Sequence, residues 1–421
     1  MNRKGILWLV AICAIVGALI PGARPAGAAT TISFWVRDSE AAFAQNVVQV
    51  YNASHTATQV KITIIPAAQY VTKFGTAVAV GDAPDVAAID LVFIPQFNAA
   101  NEYTDITTLA HKLPFYNQLT PSHIRLATWK GRLYAVPESV DSSMLFYNKG
   151  LFRQAGLDPN KPPTNWAQVE QDAKKITALG NGVHGFYFPG DCGGCNGFTM
   201  FPLIWADSGD VVNKDCSAPT MTSAPVEDAF NFYHRLWTDG VVPQDAKTDN
   251  GSGGWSTGFA SGKIGMMGMG SYAFASLDKI PSLDWGVTYL PGKTGGWSSF
   301  AGGDVIGIPR GSRHVAAAWD FISWLLSDQV QTTIYVKTGL VPVRTDIAKK
   351  VYATQGPRYA VEANASAKGL TTDCVDINEL INSANSPWTS DFPNAVFGSD
   401  VNGALTTMQN QLIAIIAKRG S

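Results

Sequence analysis

The segment 31-TISFWVRDSEAAFAQNVVQVYNAS-54 decides the fold class, because a strand pattern changes there into a helix pattern. The short apolar run 32–36 predicts a buried strand. Ser39 can cap a helix that runs to Ser54. One face of that helix carries three apolar residues: Phe43, Val47 and Tyr51.

The same alternation continues along the chain from this segment. Residues 60–65 predict a second strand, residues from about 69 to 80 a helix, and residues 85–89 a third strand. Repetition of strand, helix and strand favours an α/β fold with a parallel sheet. Four later segments have helical periodicity and predict helices that pack on a sheet: 164–179, 223–237, 315–326 and 402–417.

The composition excludes several classes of protein. The 421 residues include 31 Lys and Arg against 33 Asp and Glu, with 46% hydrophobic and 15% charged residues. A disordered chain, a coiled coil or a polybasic nucleic-acid-binding protein would need more charge or fewer apolar residues. We therefore expect a globular protein with no nucleic acid as partner.

The first 28 residues read as a targeting signal. Arg3 and Lys4 precede the uncharged run 5–20, and the small residues 26-AGA-28 follow it. This order is typical of a secretory signal peptide, and the apolar run is shorter than the ~20 residues of a membrane span. We predict cleavage near Ala28 and an exported protein, in the periplasm or on the outer face of the cytoplasmic membrane.

Four cysteines follow the predicted cleavage site, and they are disulfide candidates: Cys192, Cys195, Cys216 and Cys374. An even number in an exported chain favours disulfides, and three pairings stay open. The segment 192-CGGC-195 can close on itself. A thioredoxin-like redox role needs a CxxC that opens a helix, whereas 189–192 predicts a loop here, so a structural disulfide is the expectation.

Motifs of catalysis and metal binding are missing from the sequence. It contains neither HExxH nor GxSxG, and its six histidines lack metal-ligand spacing. We therefore predict no catalytic residue, no metal and no cofactor.

Ten short motifs together resemble family 1 extracellular solute-binding proteins, the maltose-binding-protein-like sugar receptors of ABC importers. In chain order they are GDAPDV at 81–86, GRLYAVP at 131–137, FYNK at 146–149, AGL at 155–157, PPTNW at 162–166, FASGKIGM at 259–266, GG at 302–303, IP at 308–309, AWDFI at 318–322 and GLVPV at 339–343. Two features depart from the family pattern: Tyr272 stands where the family usually has Trp, and the 192-CGGC-195 loop is additional.

The resemblance implies a two-lobed periplasmic-binding-protein type II fold, in which each lobe is a mostly parallel sheet flanked by helices and the ligand cleft lies between the lobes. It implies an N-terminal lobe of 30–140 and 288–334, and a C-terminal lobe of 141–287 and 335–421. The implied function is that of a monomeric extracytoplasmic substrate-binding component, which binds a carbohydrate by hinge closure and delivers it to ABC permease subunits without acting as an enzyme.

The candidate ligand-binding residues suit a sugar, whose apolar faces stack on aromatic rings and whose hydroxyls bond to carboxylates. Trp35, Asp38 and Asp90 follow predicted strands, where parallel sheets bind ligands, although helix capping or core packing would also explain them. The resemblance adds Asp141 at a lobe crossing, with its neighbour Ser142, and Tyr272 at the family's stacking position. The loop that enters a later strand and a tryptophan late in the chain, which surface packing would also explain, supply the remaining candidates: Trp297, Gly302, Gly303, Asp304 and Trp388. A backbone bulge would equally explain Gly303.

Two other functions stay open at this stage. An exported glycoside hydrolase would need two carboxylates flanking a scissile bond, and several aspartates are available. The same fold could instead bind a polyol phosphate or a peptide. A phosphate calls for Arg or Lys near the site, and Arg37 is the only obvious one.

Overall fold

The computed structural model describes residues 29–251, 256–383 and 385–418. The predicted signal peptide, residues 1–28, lies outside these ranges. Within the described residues, no helix is both long enough and apolar enough to cross a membrane.

The segment that opens the fold forms a strand and a helix, as its pattern predicts. Strand β1, Thr30–Arg37, buries Ile32, Phe34 and Val36 on one face. Helix α1, Ala41–Ser54, follows a single 3-10 turn, Asp38–Glu40. The predicted cap at Ser39 is wrong, because Ser39 lies inside that turn and no side chain caps α1.

The remaining strands are two to eight residues long, and most of them are buried. Their bounds are β2 Thr58–Ile65, β3 Val86–Asp90, β4 Thr128–Trp129, β5 Arg132–Leu133, β6 Ala135–Pro137, β7 Asp141–Asn148, β8 His184–Tyr187, β9 Ile264–Gly270, β10 Trp285–Thr288, β11 Leu290–Pro291, β12 Trp297–Ser298, β13 Ala301–Gly302 and β14 Asp304–Gly307.

The remaining helices range from single turns to the 17-residue last helix. Their bounds are α2 Ala67–Val80, α3 Ile94–Ala99, α4 Thr107–Ala110, α5 Pro121–Ala127, α6 Lys149–Gln154, α7 Trp166–Thr177, α8 Gly193–Ala206, α9 Ala224–Thr238, α10 Thr257–Ala260, α11 Phe274–Leu277, α12 Val315–Leu325, α13 Asp328–Val330, α14 Val336–Thr338, α15 Thr345–Lys350, α16 Pro357–Lys368, α17 Pro387–Phe397 and α18 Val401–Ala417.

The two largest sheets of the described residues each contain five strands. The first has the order β2-β1-β3-β14-β6, with β1 parallel to β2 and β3, and β14 antiparallel to its two neighbours. The second has the order β10-β7-β9-β8, with β13 attached to β7, and only its β8–β9 pair is parallel. The expectation of mostly parallel sheets is therefore wrong for the second one. Its strands are apolar on both faces, and such runs do not reveal strand direction.

Each sheet has its own hydrophobic core, so the fold is two-lobed α/β. The first core takes residues from 32–140 and 305–363, and the second takes residues from 144–300 and 365–412. The lobe crossings expected at 288 and 335 do not match these cores. Leu290 and Phe300, which follow the expected crossing at 288, still belong to the second core, and Tyr335 to Tyr352 belong to the first.

Both disulfides of the described chain lie in the second lobe. Cys192 pairs with Cys195 and Cys216 pairs with Cys374, with Cα–Cα distances of 5.2 and 5.7 Å. The second pair joins residues 158 positions apart and is almost completely buried.

Candidate functional site

A cavity of about 240 Å³ lies between the two cores. Its lining combines two carboxylates and one hydroxyl with phenyl rings, aliphatic side chains and glycines: Asp90, Val92, Asp141, Gly194, Gly197, Phe198, Phe201, Phe300, Gly302, Thr372, Ile377 and Ile381. Clefts between domains are the usual position of small-molecule sites. We call it the cleft cavity.

Sheet pairing brings the two carboxylates to this cavity. Asp90 ends β3, where it lies opposite Asp304 of β14, and Asp141 begins β7, where it lies opposite Gly302 of β13. Strands β13 and β14 are separated only by Gly303, so the chain that crosses between the lobes holds both ladders together. Gly303 has φ of +106°, and a Cβ there would lie 2.3 Å from the Ser139 carbonyl oxygen. The two chain segments at Gly303 and Ser139 approach too closely for a side chain at position 303, which explains this glycine.

A buried ion-pair cluster supports Asp90. The guanidinium of Arg37 donates to Asp90 at 3.1 Å and makes a two-pronged ion pair with Asp304, whose side chain is fully buried. The second oxygen of Asp90 accepts the backbone N–H of Val92 at 3.1 Å. These bonds fix the orientation of the Asp90 carboxylate, since charge-assisted bonds to a planar guanidinium are directional.

Asp141 is held from the other side. One of its oxygens accepts the backbone N–H of Ser271 at 2.8 Å and the Ser271 hydroxyl at 2.9 Å. Gly270 makes this approach possible, because a Cβ there would lie 2.5 Å from both carboxylate oxygens. Burial raises the pKa of Asp141 to about 6 despite these bonds.

Carboxyl groups surround the cavity, and burial raises the pKa of several of them. Asp304 has its pKa raised to about 6 by burial, and Glu40 has its pKa raised to about 8 by burial and then by Asp304. Among the described lining residues of the cleft cavity there is no Lys or Arg. The guanidinium of Arg37, which bonds to the lining residue Asp90, is already shared between two aspartates.

The opposite wall is apolar and comes mainly from helix α8. Gly194, Gly197, Phe198 and Phe201 of this helix border the cavity. The ring of Phe300 continues the wall, with its centroid 5.4 Å from that of Phe198. A wall of phenyl rings without hydrogen-bonding groups offers stacking surface only.

Trp388 supports this wall from behind and does not reach the ligand space, so its prediction as a ligand contact is wrong. Its side chain is fully buried, 4.8 Å from the ring of Phe201 between centroids. The indole N–H donates to the Gly193 carbonyl at 2.9 Å, which ties α17 to the first turn of α8. A large buried aromatic with its N–H satisfied is a core residue.

The structure brings three of the predicted ligand contacts into the cavity lining, namely Asp90, Asp141 and Gly302. Tyr272 is 45% exposed and follows Ser271, directly beside Asp141, but is not itself part of the lining. Ser142 is buried and bonds to the hydroxyl of Ser366 at 2.8 Å. Asp304 and Gly303 do not line the cavity. Asp304 forms the ion pair with Arg37, and Gly303 lies where the chain crosses between the lobes.

Three other candidates lie elsewhere. Trp35 borders a separate surface depression beside α2, with the Lys73 ammonium 5.4 Å from its ring centroid. Asp38 is exposed, and its carboxylate accepts the backbone N–H of Ala67 at 3.1 Å, close to the start of α2. Trp297 stacks on Tyr289 with ring centroids 4.0 Å apart and does not border the cleft cavity.

Sequence reasoning missed the phenyl wall. Phe198, Phe201 and Phe300 read as ordinary core residues, because an apolar face of a helix is usually a packing face. A signal was present in the two glycines of the lining, Gly194 and Gly197, since glycines inside a helix mark close approach.

Comparison with known proteins agrees with this architecture. A binding protein of Brucella abortus (strain 2308) is 27% identical over 224 residues, 53% of this chain and 53% of that protein, so the match spans about half of that relative. The diacetylchitobiose binding protein DasA of Streptomyces coelicolor is 24% identical over 380 residues, 87% of this chain and 86% of that protein.

Solved structures share the fold. The sugar-binding protein MalE from Xanthomonas citri superposes with a TM-score of 0.81 at 21% identity, over 93% of this chain and 98% of that one. The GacH receptor of Streptomyces glaucescens gives a TM-score of 0.80 at 22% identity, over 92% and 99%. The family model for the bacterial extracellular solute-binding protein matches residues 46–361. Because this match covers most of both lobes, the chain belongs to the bacterial extracellular solute-binding protein family.

Proposed function

We propose that this protein is the exported, extracytoplasmic substrate-binding component of an ABC importer and that its cleft cavity binds a carbohydrate. One observation carries the proposal: a cavity between the two lobes faces carboxylates on one side and phenyl rings on the other. Family membership and the sugar-binding relatives support it.

The two walls match the two kinds of surface on a sugar ring. Asp90 and Asp141 accept hydrogen bonds from ligand hydroxyls, and an ionised acceptor makes the stronger bond. Phe198 and Phe300 stack on the apolar C–H face, and Tyr272 remains our candidate for a second stacking face at the rim. The cavity is smaller than the roughly 300–1,000 Å³ of drug-sized sites, which favours one or two sugar rings.

The charges favour a neutral ligand over an anionic one. A phosphate or carboxylate on the ligand would face Asp90 and Asp141 without a free cationic partner in the lining. Arg37 is already engaged by two aspartates. Burial of an unpaired anion costs far more than stacking returns. A polyol phosphate is therefore disfavoured.

Ligand binding would close the lobes. A sugar that contacts Asp90 from the first lobe and Phe198 from the second gains all its contacts only when the lobes approach. The closed form is then the one that delivers the ligand to the membrane permease.

Calorimetric titration with a defined panel tests the proposal. The panel contains maltose, mannobiose, N,N′-diacetylchitobiose, glucuronic acid and glycerol 3-phosphate. We expect at least one neutral sugar to bind and the two anions not to bind. Substituting Asp90→Ala or Asp141→Ala should abolish the signal, whereas Asp38→Ala, the exposed control outside the cavity, should leave it unchanged.

Two outcomes contradict the proposal. Binding of glycerol 3-phosphate in the absence of any sugar signal would show the wrong ligand class. Two carboxylates in one cavity are also what a glycoside hydrolase needs. If the protein only binds sugars, chromatography should recover the titrated disaccharides intact. Cleavage that is lost in Asp141→Asn would instead indicate a glycoside hydrolase.

A further inference from the structure

The CGGC segment opens a helix, contrary to the loop predicted from sequence. Strand β8 ends at Tyr187, and Cys192 is the N-cap of α8, whose first turn contains Cys195. A disulfide at the start of a helix that follows a strand is the arrangement in which cysteine pairs become redox-active. The sequence argument against a redox role therefore no longer holds.

The disulfide is directly connected to the cleft cavity. Gly194 lies between its two cysteines, and Gly197 and Phe198 follow in the next residues; all three line the cavity. The first turn of α8 carries two consecutive glycines, Gly193 and Gly194, which have little intrinsic preference for a helix. The cross-link closes this weak turn.

The surroundings of the disulfide favour reduction at this pair. The Sγ of Cys192 accepts the backbone N–H of Cys195 at 3.3 Å, and the positive end of the helix dipole stabilises a thiolate there. Both cysteines are partly exposed, whereas Cys216 and Cys374 are 7% and 1% exposed. Gly251 packs against both sulfur atoms of the first pair, but this pair is still more exposed to a soluble thiol than the second.

The span of the loop points to a local role. A cross-link stabilises a fold chiefly by restricting the unfolded chain, and this effect grows with loop length. Cys192–Cys195 spans three positions, whereas Cys216–Cys374 spans 158. The short disulfide restricts the unfolded chain least, so its main effect is on the geometry of the first turn of α8.

We propose that Cys192–Cys195 is a reversible thiol–disulfide exchange site that sets the ligand affinity of the cleft cavity. A thiolate of an external dithiol attacks the Sγ of Cys195, and the S–S bond breaks with its electron pair left on Cys192. The second thiolate of the dithiol then displaces Cys195 from the mixed disulfide, both cysteines take up protons, and the dithiol leaves oxidised. The effect on ligand affinity rests on the proposed function, whereas the thiol–disulfide exchange itself does not.

Reduction acts on the cavity through the packing of the first turn. A Cβ on Gly193 would lie 2.0 Å from the Thr389 hydroxyl oxygen, so this turn sits directly on α17. The Gly193 carbonyl accepts a hydrogen bond from the indole N–H of Trp388. Opening the disulfide leaves this turn held only by that packing and by the Trp388 bond, so the cavity-lining residues that follow are held less firmly.

Three measurements on the mature protein test the proposal. Dithiothreitol is titrated under native conditions, free thiols are trapped with iodoacetamide, and peptides are analysed by mass spectrometry. We expect Cys192 and Cys195 to be alkylated at concentrations that leave Cys216–Cys374 intact. Hydrogen exchange should then become faster in residues 195–198, and N,N′-diacetylchitobiose or maltose should bind about fivefold more weakly, a loss comparable to one hydrogen bond.

The double variant Cys192→Ser/Cys195→Ser is the matched control, because Ser keeps an N-cap side chain. It should bind like the reduced protein and should not respond to dithiothreitol. Reduction of Cys216–Cys374 before Cys192–Cys195, or unchanged exchange and affinity after selective reduction, would overturn the proposal. If neither sugar binds the oxidised protein, the proposed function fails for these probes, while trapping and exchange still decide whether the site is redox-active.

Discussion

The two walls of the cleft cavity are built on opposite principles. The wall from the first lobe and the crossing strands is polar, and its carboxylates are oriented by charge: Arg37 holds Asp90 and Asp304 together. The wall from α8 is apolar, and its rings are positioned by packing against Phe300 and Trp388. A buried charged group needs an opposite charge or a hydrogen bond, whereas an aromatic ring needs only close packing behind it.

This difference predicts different consequences of substitution. Loss of a partner in the polar wall leaves a buried charge, which affects stability and orientation together. Loss of a ring in the apolar wall affects stability if the ring is buried, and affinity if it faces the ligand. The following substitutions separate these effects.

Trp388→Ala removes the support of the apolar wall, and it should have the largest effect on stability. Its side chain is fully buried, so the substitution should lower the free energy of unfolding by about 3–5 kcal/mol. Urea denaturation measures the loss. Trp297→Ala is the control, because Trp297 lies on a partly exposed hairpin and should cost clearly less. Equal losses in the two variants would contradict the core position of Trp388.

Arg37→Met removes the support of the polar wall. Asp304 would remain fully buried without its partner, which should cost roughly 3 kcal/mol of stability. Arg132→Met is the matched control, because Arg132 pairs with Asp105 at the surface and should cost under about 1 kcal/mol. A difference of less than about 1 kcal/mol between the two variants would show that the buried pair is not needed to hold the polar wall.

Local patterns predicted the first sheet well because its elements follow one another in sequence. Apolar residues repeat with the strand period in β1 and β2 and with the helix period in α1. Strand direction in the second sheet could not be predicted, because β7 pairs with β9 more than 100 residues later. The lobe crossings depend on the same long-range pairings.

The sequence indicates the carboxylates of the polar wall more readily than the rings of the apolar wall. Asp90 ends a predicted strand, where parallel sheets bind ligands, and Asp141 is indicated by the family resemblance. Phe198 looks like any helix-core phenylalanine until tertiary structure opens a cavity beside it. Trp388 misled for the converse reason: a tryptophan was taken as a stacking platform, although its size makes it an equally good core residue.

Phe198→Ala should reduce sugar affinity more than stability. A lost stacking face is worth about 1–2 kcal/mol, which corresponds to roughly five- to thirtyfold in Kd. Phe198 is only partly buried, so its truncation leaves a smaller cavity than that of Trp388. Calorimetry with the sugar found in the panel measures the change. Unchanged affinity together with a large loss of stability would place Phe198 in the core and remove it from the site.

The smallest expected effect is a pH dependence of binding through Asp141. Burial raises its pKa to about 6, so lowering the pH from 7.5 to 5 converts an ionised acceptor into a neutral acid. Affinity should therefore fall with pH, by at most about tenfold, because at pH 5 roughly one Asp141 in ten stays ionised. Titrations across this range measure the effect. Asp141→Asn should bind weakly and lose most of the pH dependence.

The same pKa shift has the opposite sign for folding, and this separates binding from stability. In the folded protein Asp141 holds its proton more tightly than in the unfolded chain, whose value is near 3.8, and Asp304 behaves likewise. The free energy of unfolding contributed by these groups is therefore greatest below pH 4 and falls as the pH rises through 6. Affinity that rises over the interval in which stability falls would assign the binding effect to Asp141. Affinity and stability that fall together at low pH would instead indicate general acid unfolding and would contradict a direct role of this carboxylate.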